Sequence, residues 1–99
     1  MKARTKAEVL DGLRGMKPSL TQRFGISRIG VFGSVARDQM RADSDIDIVV
    51  EMANPDLFSL VHLKDALEES LGSPVDIVQY REKMNPFLKA HIQNEAVYV

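Results

Sequence analysis

Apolar residues fall into two rhythms along this chain, and the changes between them predict its elements. Near the N-terminus Val9, Leu10, Leu13 and Met16 recur at helical intervals. They follow Thr5 and Glu8, whose spacing is that of a capping box, so a first helix is predicted from about Lys6. Pro18 leaves two readings open: it begins a second helix running to about Phe24, or it kinks one longer helix, and Gly25 ends either. The rhythm then shortens. Residues 28–33 are predicted as a first strand, 34–38 as a short helix, 39–44 as a polar loop and 45–52 as a second strand. Asn54-Pro55-Asp56 signals a turn. A helix over 56–71 follows, with Leu57, Leu60, Val61, Lys64, Leu67 and Leu71 as its inward stripe and His62 beside it, and Gly72 stops it. Residues 75–80 form a third predicted strand. Asn85-Pro86 has the form of an N-cap and first helical position, and Phe87, Leu88, His91 and Ile92 space as a last helix to about Asn94. The apolar stretch 96–99 is expected as a short final strand or as a patch that docks on a partner. The class these elements predict is α/β (α+β), a mixed sheet of three to four strands with helices mainly on one face, in a single domain over 1–99.

Two positions break the pattern. Asp45 and Asp47 open the second strand, and strand alternation turns both to one face while Ile46, Ile48 and Val50 turn to the other. Asp is depleted in strands, and two like charges one pleat apart repel. A hard divalent cation such as Mg²⁺ resolves that cost, since it is held by one or two carboxylates together with substrate phosphates. The first strand supplies a cradle for such phosphates where it ends in Gly33-Ser34: glycine lets backbone approach an anion, and the serine hydroxyl stands at a predicted helix N-cap with free N–H groups behind it. Arg37, one turn along, can reach the same anion. Each piece has a plain structural reading, as an ordinary turn or a solvated sheet edge. Their fixed spacing favours chemistry. Asp76 is a further acid in an apolar strand; if that strand lies beside the second, Asp76 completes a three-carboxylate cluster. Glu51 is the weaker candidate for that role, being assigned to the face away from the Asp pair.

Composition narrows the setting. At 44% hydrophobic and 27% charged, the 99 residues have the balance of an ordinary soluble globular protein. The absence of cysteine excludes disulfides and thiolate metal sites, and no apolar stretch approaches membrane-spanning length, so a cytoplasmic protein is expected. A net charge of −1 gives no support to a general nucleic-acid-binding face. Residues 1–41 nevertheless hold nine Lys/Arg against three Asp/Glu, read mainly as a solvated helix face apart from Arg37 and Arg41.

The stretch GSVARDQMRADSDIDIVV resembles the G-S-x10-D-x-D signature of the DNA polymerase β-like nucleotidyltransferases. From about Val9 onward the chain is similar to the minimal nucleotidyltransferases, the MNT antitoxins of HEPN/MNT toxin-antitoxin pairs. That resemblance implies an Mg²⁺-dependent enzyme that transfers AMP from ATP to a tyrosine hydroxyl of a partner HEPN ribonuclease toxin, silencing it in a hetero-oligomer. It assigns Asp45, Asp47 and Asp76 to metal and catalysis, with Asp76 nearest the attacking hydroxyl, and Gly33 and Ser34 to the nucleotide. One departure stands out: many relatives have glycine where this chain has Asp38. Two rivals remain. One is a non-catalytic antitoxin that covers the toxin surface, for which stretches around Met40, Met52 and Met84 are candidate contacts. The other is a transferase acting on a small molecule or an RNA end, against which the absence of an acceptor domain and of a broad basic surface speaks.

Overall fold

The computed structural model describes residues 5–41, 44–53 and 56–99. Its elements are α1 (Lys6–Phe24), β1 (Ile26–Phe32), β2 (Ile46–Met52), α2 (Leu57–Leu71), β3 (Val75–Gln79), α3 (Pro86–Glu95) and β4 (Val97–Tyr98). Among the described residues no helix is long and apolar enough to cross a membrane.

Of the two readings of Pro18, one longer helix is the correct one: α1 runs through it. The proline is exposed and withholds only the N–H that the Arg14 carbonyl would have accepted. The Thr5 hydroxyl accepts the Glu8 N–H at 3.2 Å, and Gly25 closes the helix in the left-handed conformation. Asp56 caps α2 in the same manner, accepting the Ser59 N–H at 2.8 Å. The other two residues of the expected Asn54-Pro55-Asp56 turn lie outside the described residues.

The sheet has the order β3-β2-β1-β4. β1 pairs antiparallel with β2 and β4, whereas β2 and β3 run parallel, with α2 as the crossover that a parallel pair requires. The final stretch is thus a strand: Val97 and Tyr98 pair with Val31 and Gly30.

Alternation along β2 divides the interior. Ile46, Ile48 and Val50 join Ile29 and Val31 of β1 under α1 and α2, where Val9, Leu13, Leu20, Leu63, Leu67 and Leu71 complete the larger core. On the opposite face a small cluster of Phe32, Val49 and Ile92 lies under α3. The helices therefore sit mainly, but not wholly, on one face.

The stripe expected on α2 needs correction. The inward stripe of α2 is Leu60, Leu63, Leu67 and Leu71, and Leu57, Val61 and Lys64 are exposed. With apolar residues at 57, 58, 60, 61 and 63, two stripes about a third of a turn apart were available, and the one facing the sheet contains Leu63. Phe87 is 86% exposed, since Leu88 and Ile92 already fill the narrow face that α3 presents. Of the methionines named as candidate contacts, Met52 is buried in the larger cluster, while Met40 and Met84 are partly buried against the larger and the smaller cluster.

Candidate active site

The parallel pairing of β2 with β3 sets Asp47 directly opposite Asp76, and β1 sets Phe32 on the other side of Asp47. The start of β3 is held in place twice: the Ile46 N–H donates to the Pro74 carbonyl at 2.9 Å, and the Val75 N–H donates to the Glu68 carboxylate of α2 at 2.9 Å. Two aspartates on adjacent strands are therefore neighbours by register. Asp45 stands two residues before Asp47, exposed and just ahead of the strand rather than within it.

Residues 34–38 were expected as a short helix and instead belong to consecutive turns over 33–38. The Arg37 N–H donates to the Gly33 carbonyl at 3.2 Å, and the stretch then closes with Asp38 N–H to Val35 carbonyl at 3.0 Å and Gln39 N–H to Ser34 carbonyl at 2.8 Å. This last pair is the closure of a helix C-terminus, arriving after a single turn. It requires a left-handed residue, and Asp38 takes that place with φ 55°. A glycine would fit there without strain. In this chain the Asp38 carboxylate also accepts the Lys6 N–H at 3.3 Å, tying the turn to the N-terminus of α1.

Gly33 has φ 70° and lies against the Asp47 carboxylate, so that a Cβ at this position would run into Asp47 Oδ2. Only glycine permits this approach of turn and carboxylate. Ser34 follows, half-buried, and Arg37 is exposed.

Burial pushes the Asp47 carboxyl above the usual carboxylate range, the charges of Asp76, Asp45 and Glu95 push it further, and His91 opposes them. The donor set is all carboxylate oxygen at a point of concentrated negative charge, which suits a hard divalent cation. Among the described residues no three acidic or histidine side chains converge closely enough to hold an ion.

Glu51 had been set aside for the wrong reason. Alternation from Asp47 through Val49 places it on the same face as the aspartates, two pleats farther along. Its carboxylate is committed elsewhere, to Arg28 at 3.1 Å, and that guanidinium lies 3.8 Å from the centre of the Tyr98 ring.

A residue that sequence reasoning did not single out binds the turn directly. Glu95, at the end of α3, accepts the Gly33 N–H at 2.7 Å and is bound by the Arg37 guanidinium at 3.0 and 3.2 Å and by His91 Nε2 at 2.6 Å. Burial raises its carboxyl, but the Gly33 hydrogen bond, the Arg37 hydrogen bond and the charges of His91 and Arg37 outweigh that and hold it below the usual range. His91 in turn meets the Phe32 ring edge-on.

This arrangement of turn, paired strands and carboxylates has relatives. The sequence pattern of the family described as Polymerase beta, Nucleotidyltransferase matches residues 15–99. The chain belongs to that family. As a minimal nucleotidyltransferase it is 36% identical over 96 residues to the protein adenylyltransferase MntA of Thermococcus cleftensis, covering 96% of each chain. A solved structure provisionally described as a minimal nucleotidyltransferase superposes with a TM-score of 0.72 at 41% identity, covering 89% of this chain and 93% of the other. A crystal structure of a toxin-antitoxin with AMP-PNP superposes with a TM-score of 0.68 at 26% identity, covering 94% of this nucleotidyltransferase and 70% of that chain.

Proposed function

We propose that the protein is an antitoxin-type adenylyltransferase that transfers AMP from ATP to a tyrosine hydroxyl of a partner HEPN ribonuclease toxin. The observation that carries this reading is the lateral pairing of Asp47 with Asp76, with Asp45 just ahead and the Gly33 turn packed against Asp47. It is supported by the adenylyltransferase relative and by the likeness to a toxin-antitoxin structure that holds an ATP analogue.

In the reaction the acceptor hydroxyl oxygen bonds to the α-phosphorus of ATP, the bond from that phosphorus to the bridging oxygen breaks, and pyrophosphate leaves. Asp76 takes the hydroxyl proton. Gly33 and Ser34 bind the β- and γ-phosphates through backbone N–H and hydroxyl, and Arg37 neutralises the same end of the nucleotide. Asp45, Asp47 and Asp76 would hold Mg²⁺, which when bound offsets charge on the attacking and leaving oxygens. The chain's own contribution is position: two strands and one turn fix acid, nucleotide and acceptor relative to one another.

The test is transfer of label. With the HEPN partner present, phosphate from α-labelled ATP becomes acid-stable on the toxin, while label from γ-labelled ATP leaves as pyrophosphate. Retention of the γ-label on the toxin would contradict nucleotidyl transfer.

The rival reading, inhibition by surface coverage alone, has one observation in its favour. Leu57, Phe58 and Val61 are 74%, 78% and 50% exposed on one side of α2, an apolar patch of the kind that partners bind. Val61 also lines a groove with Asp76, so the same patch suits docking of an acceptor protein. Toxin that is inhibited equally by the wild type and by a variant with both Asp45 and Asp47 changed to Asn would favour coverage.

A further inference from the structure

Three donor groups, the Gly33 N–H, the Arg37 guanidinium and His91 Nε2, converge on one carboxylate of the chain itself. Two of the three belong to the turn assigned to the nucleotide phosphates. Their geometry, a backbone N–H beside a guanidinium with short charge-assisted contacts, is that of a phosphate site.

The location of Glu95 makes this arrangement more telling. It is the last residue of α3, where the helix dipole disfavours an acid, and that last turn holds no basic residue in compensation. It also lies close enough to Asp47 to repel it. Both surroundings oppose a negative charge there. What holds the carboxylate is the donor set, which binds it as it would bind another anion.

We infer that Glu95 is an internal stand-in for a nucleotide phosphate: it fills the anion position formed by Gly33, Arg37 and His91, and the triphosphate displaces it. His91 is thereby a phosphate-contacting residue of the loaded site. The inference rests on the nucleotidyl-transfer reading. Its consequence is an affinity lowered by the fraction of molecules in which Glu95 occupies the cradle. Displacement needs only rotation of the side chain, which is 19% exposed and so has a path to solvent. Because Ala96 continues in extended conformation into β4, the backbone at the end of α3 need not move.

The competing explanation is that Glu95 positions Arg37 and the turn for the nucleotide, and the two make opposite predictions. Binding of Mg²⁺-ATP, of tripolyphosphate and of adenosine is measured by calorimetry for the wild type and for Glu95→Ala, Glu95→Asp and Glu95→Gln, with the melting temperature of each recorded. Glu95→Asp is the sharp variant, because it keeps the charge but falls one methylene short of the donors. We expect Glu95→Ala and Glu95→Asp to bind ATP and tripolyphosphate more tightly, by about tenfold for Ala if the cradle is free in about a tenth of wild-type molecules. Adenosine, which has no phosphate, should gain nothing. Unchanged or weaker binding by Glu95→Ala and Glu95→Asp, with Glu95→Gln at the wild-type level, would overturn the inference and make Glu95 a positioning residue. Tighter binding by Glu95→Ala alone would also overturn it, since charge rather than occupancy would then be the cause. Loss of ATP and tripolyphosphate binding in the wild type as well would instead count against the nucleotidyl-transfer reading itself.

Discussion

The two faces of β2 show what the same strand is used for on each side. Toward α1 and α2 its residues Ile46, Ile48 and Val50 are wholly buried in a core that holds sixteen of the described residues. Toward α3 the sequence reads Asp47, Val49 and Glu51, and among the described residues the buried apolar cluster is Phe32, Val49 and Ile92. One face supplies the hydrophobic stabilisation, and the other is left thin enough for carboxylates to meet solvent and substrate. The cost of that thinness is visible at Asp47, whose charge is disfavoured by its surroundings. Active sites tolerate such a cost because the remainder of the fold offsets it.

The largest effect should fall on the acidic face. Changing Asp45 and Asp47 to Asn should lower AMP transfer about a thousandfold or more with the fold intact, as measured by initial rates and circular dichroism. The sealed face should respond in stability instead. Leu67→Ala, in the larger core, should cost about 4 kcal/mol, and Ile92→Ala, in the thin cluster that solvent can approach, about 2 kcal/mol by urea denaturation. Equal costs would mean that the two clusters are packed alike, and the comparison would break.

A smaller effect has the opposite sign. Because the folded-state carboxyl of Asp47 lies above its unfolded value, the unfavourable charge is absent at pH below the ordinary Asp range and develops as pH rises through the folded value. Asp47→Asn should therefore raise the melting temperature by about 2–4 °C at pH 7 in EDTA, with no gain near pH 3. A gain independent of pH would show that burial of the charge is not its cause. Smallest is the turn: Asp38→Ala should cost about 1 kcal/mol through the left-handed backbone and the lost bond to Lys6, whereas Asp38→Gly should remain within about 0.5 kcal/mol of wild type.

Much of this architecture was legible because apolar periodicity and caps are local signals. Thr5, Gly25, Gly72 and Asn85 mark helix ends at the positions the structure gives them. Asp45 and Asp47 stood out as acids where a strand should be apolar, and Asp76 did so again one strand later. Periodicity failed where two stripes were equally apolar, so Leu63 was missed on α2. It also failed at 34–38, where a helical hydrogen bond closes after one turn. Glu95 carried no local signal at all: its contact with Gly33 spans 62 residues and exists only once α3 has packed across the sheet.

The most direct test of the central claim is the intact mass of a purified HEPN partner after incubation with this protein, ATP and Mg²⁺, beside the Asp45→Asn, Asp47→Asn variant. Nucleotidyl transfer predicts a gain of one or more AMP units with the unsubstituted protein and none with the variant. An unchanged toxin mass, with the toxin still inhibited by both proteins, would contradict it.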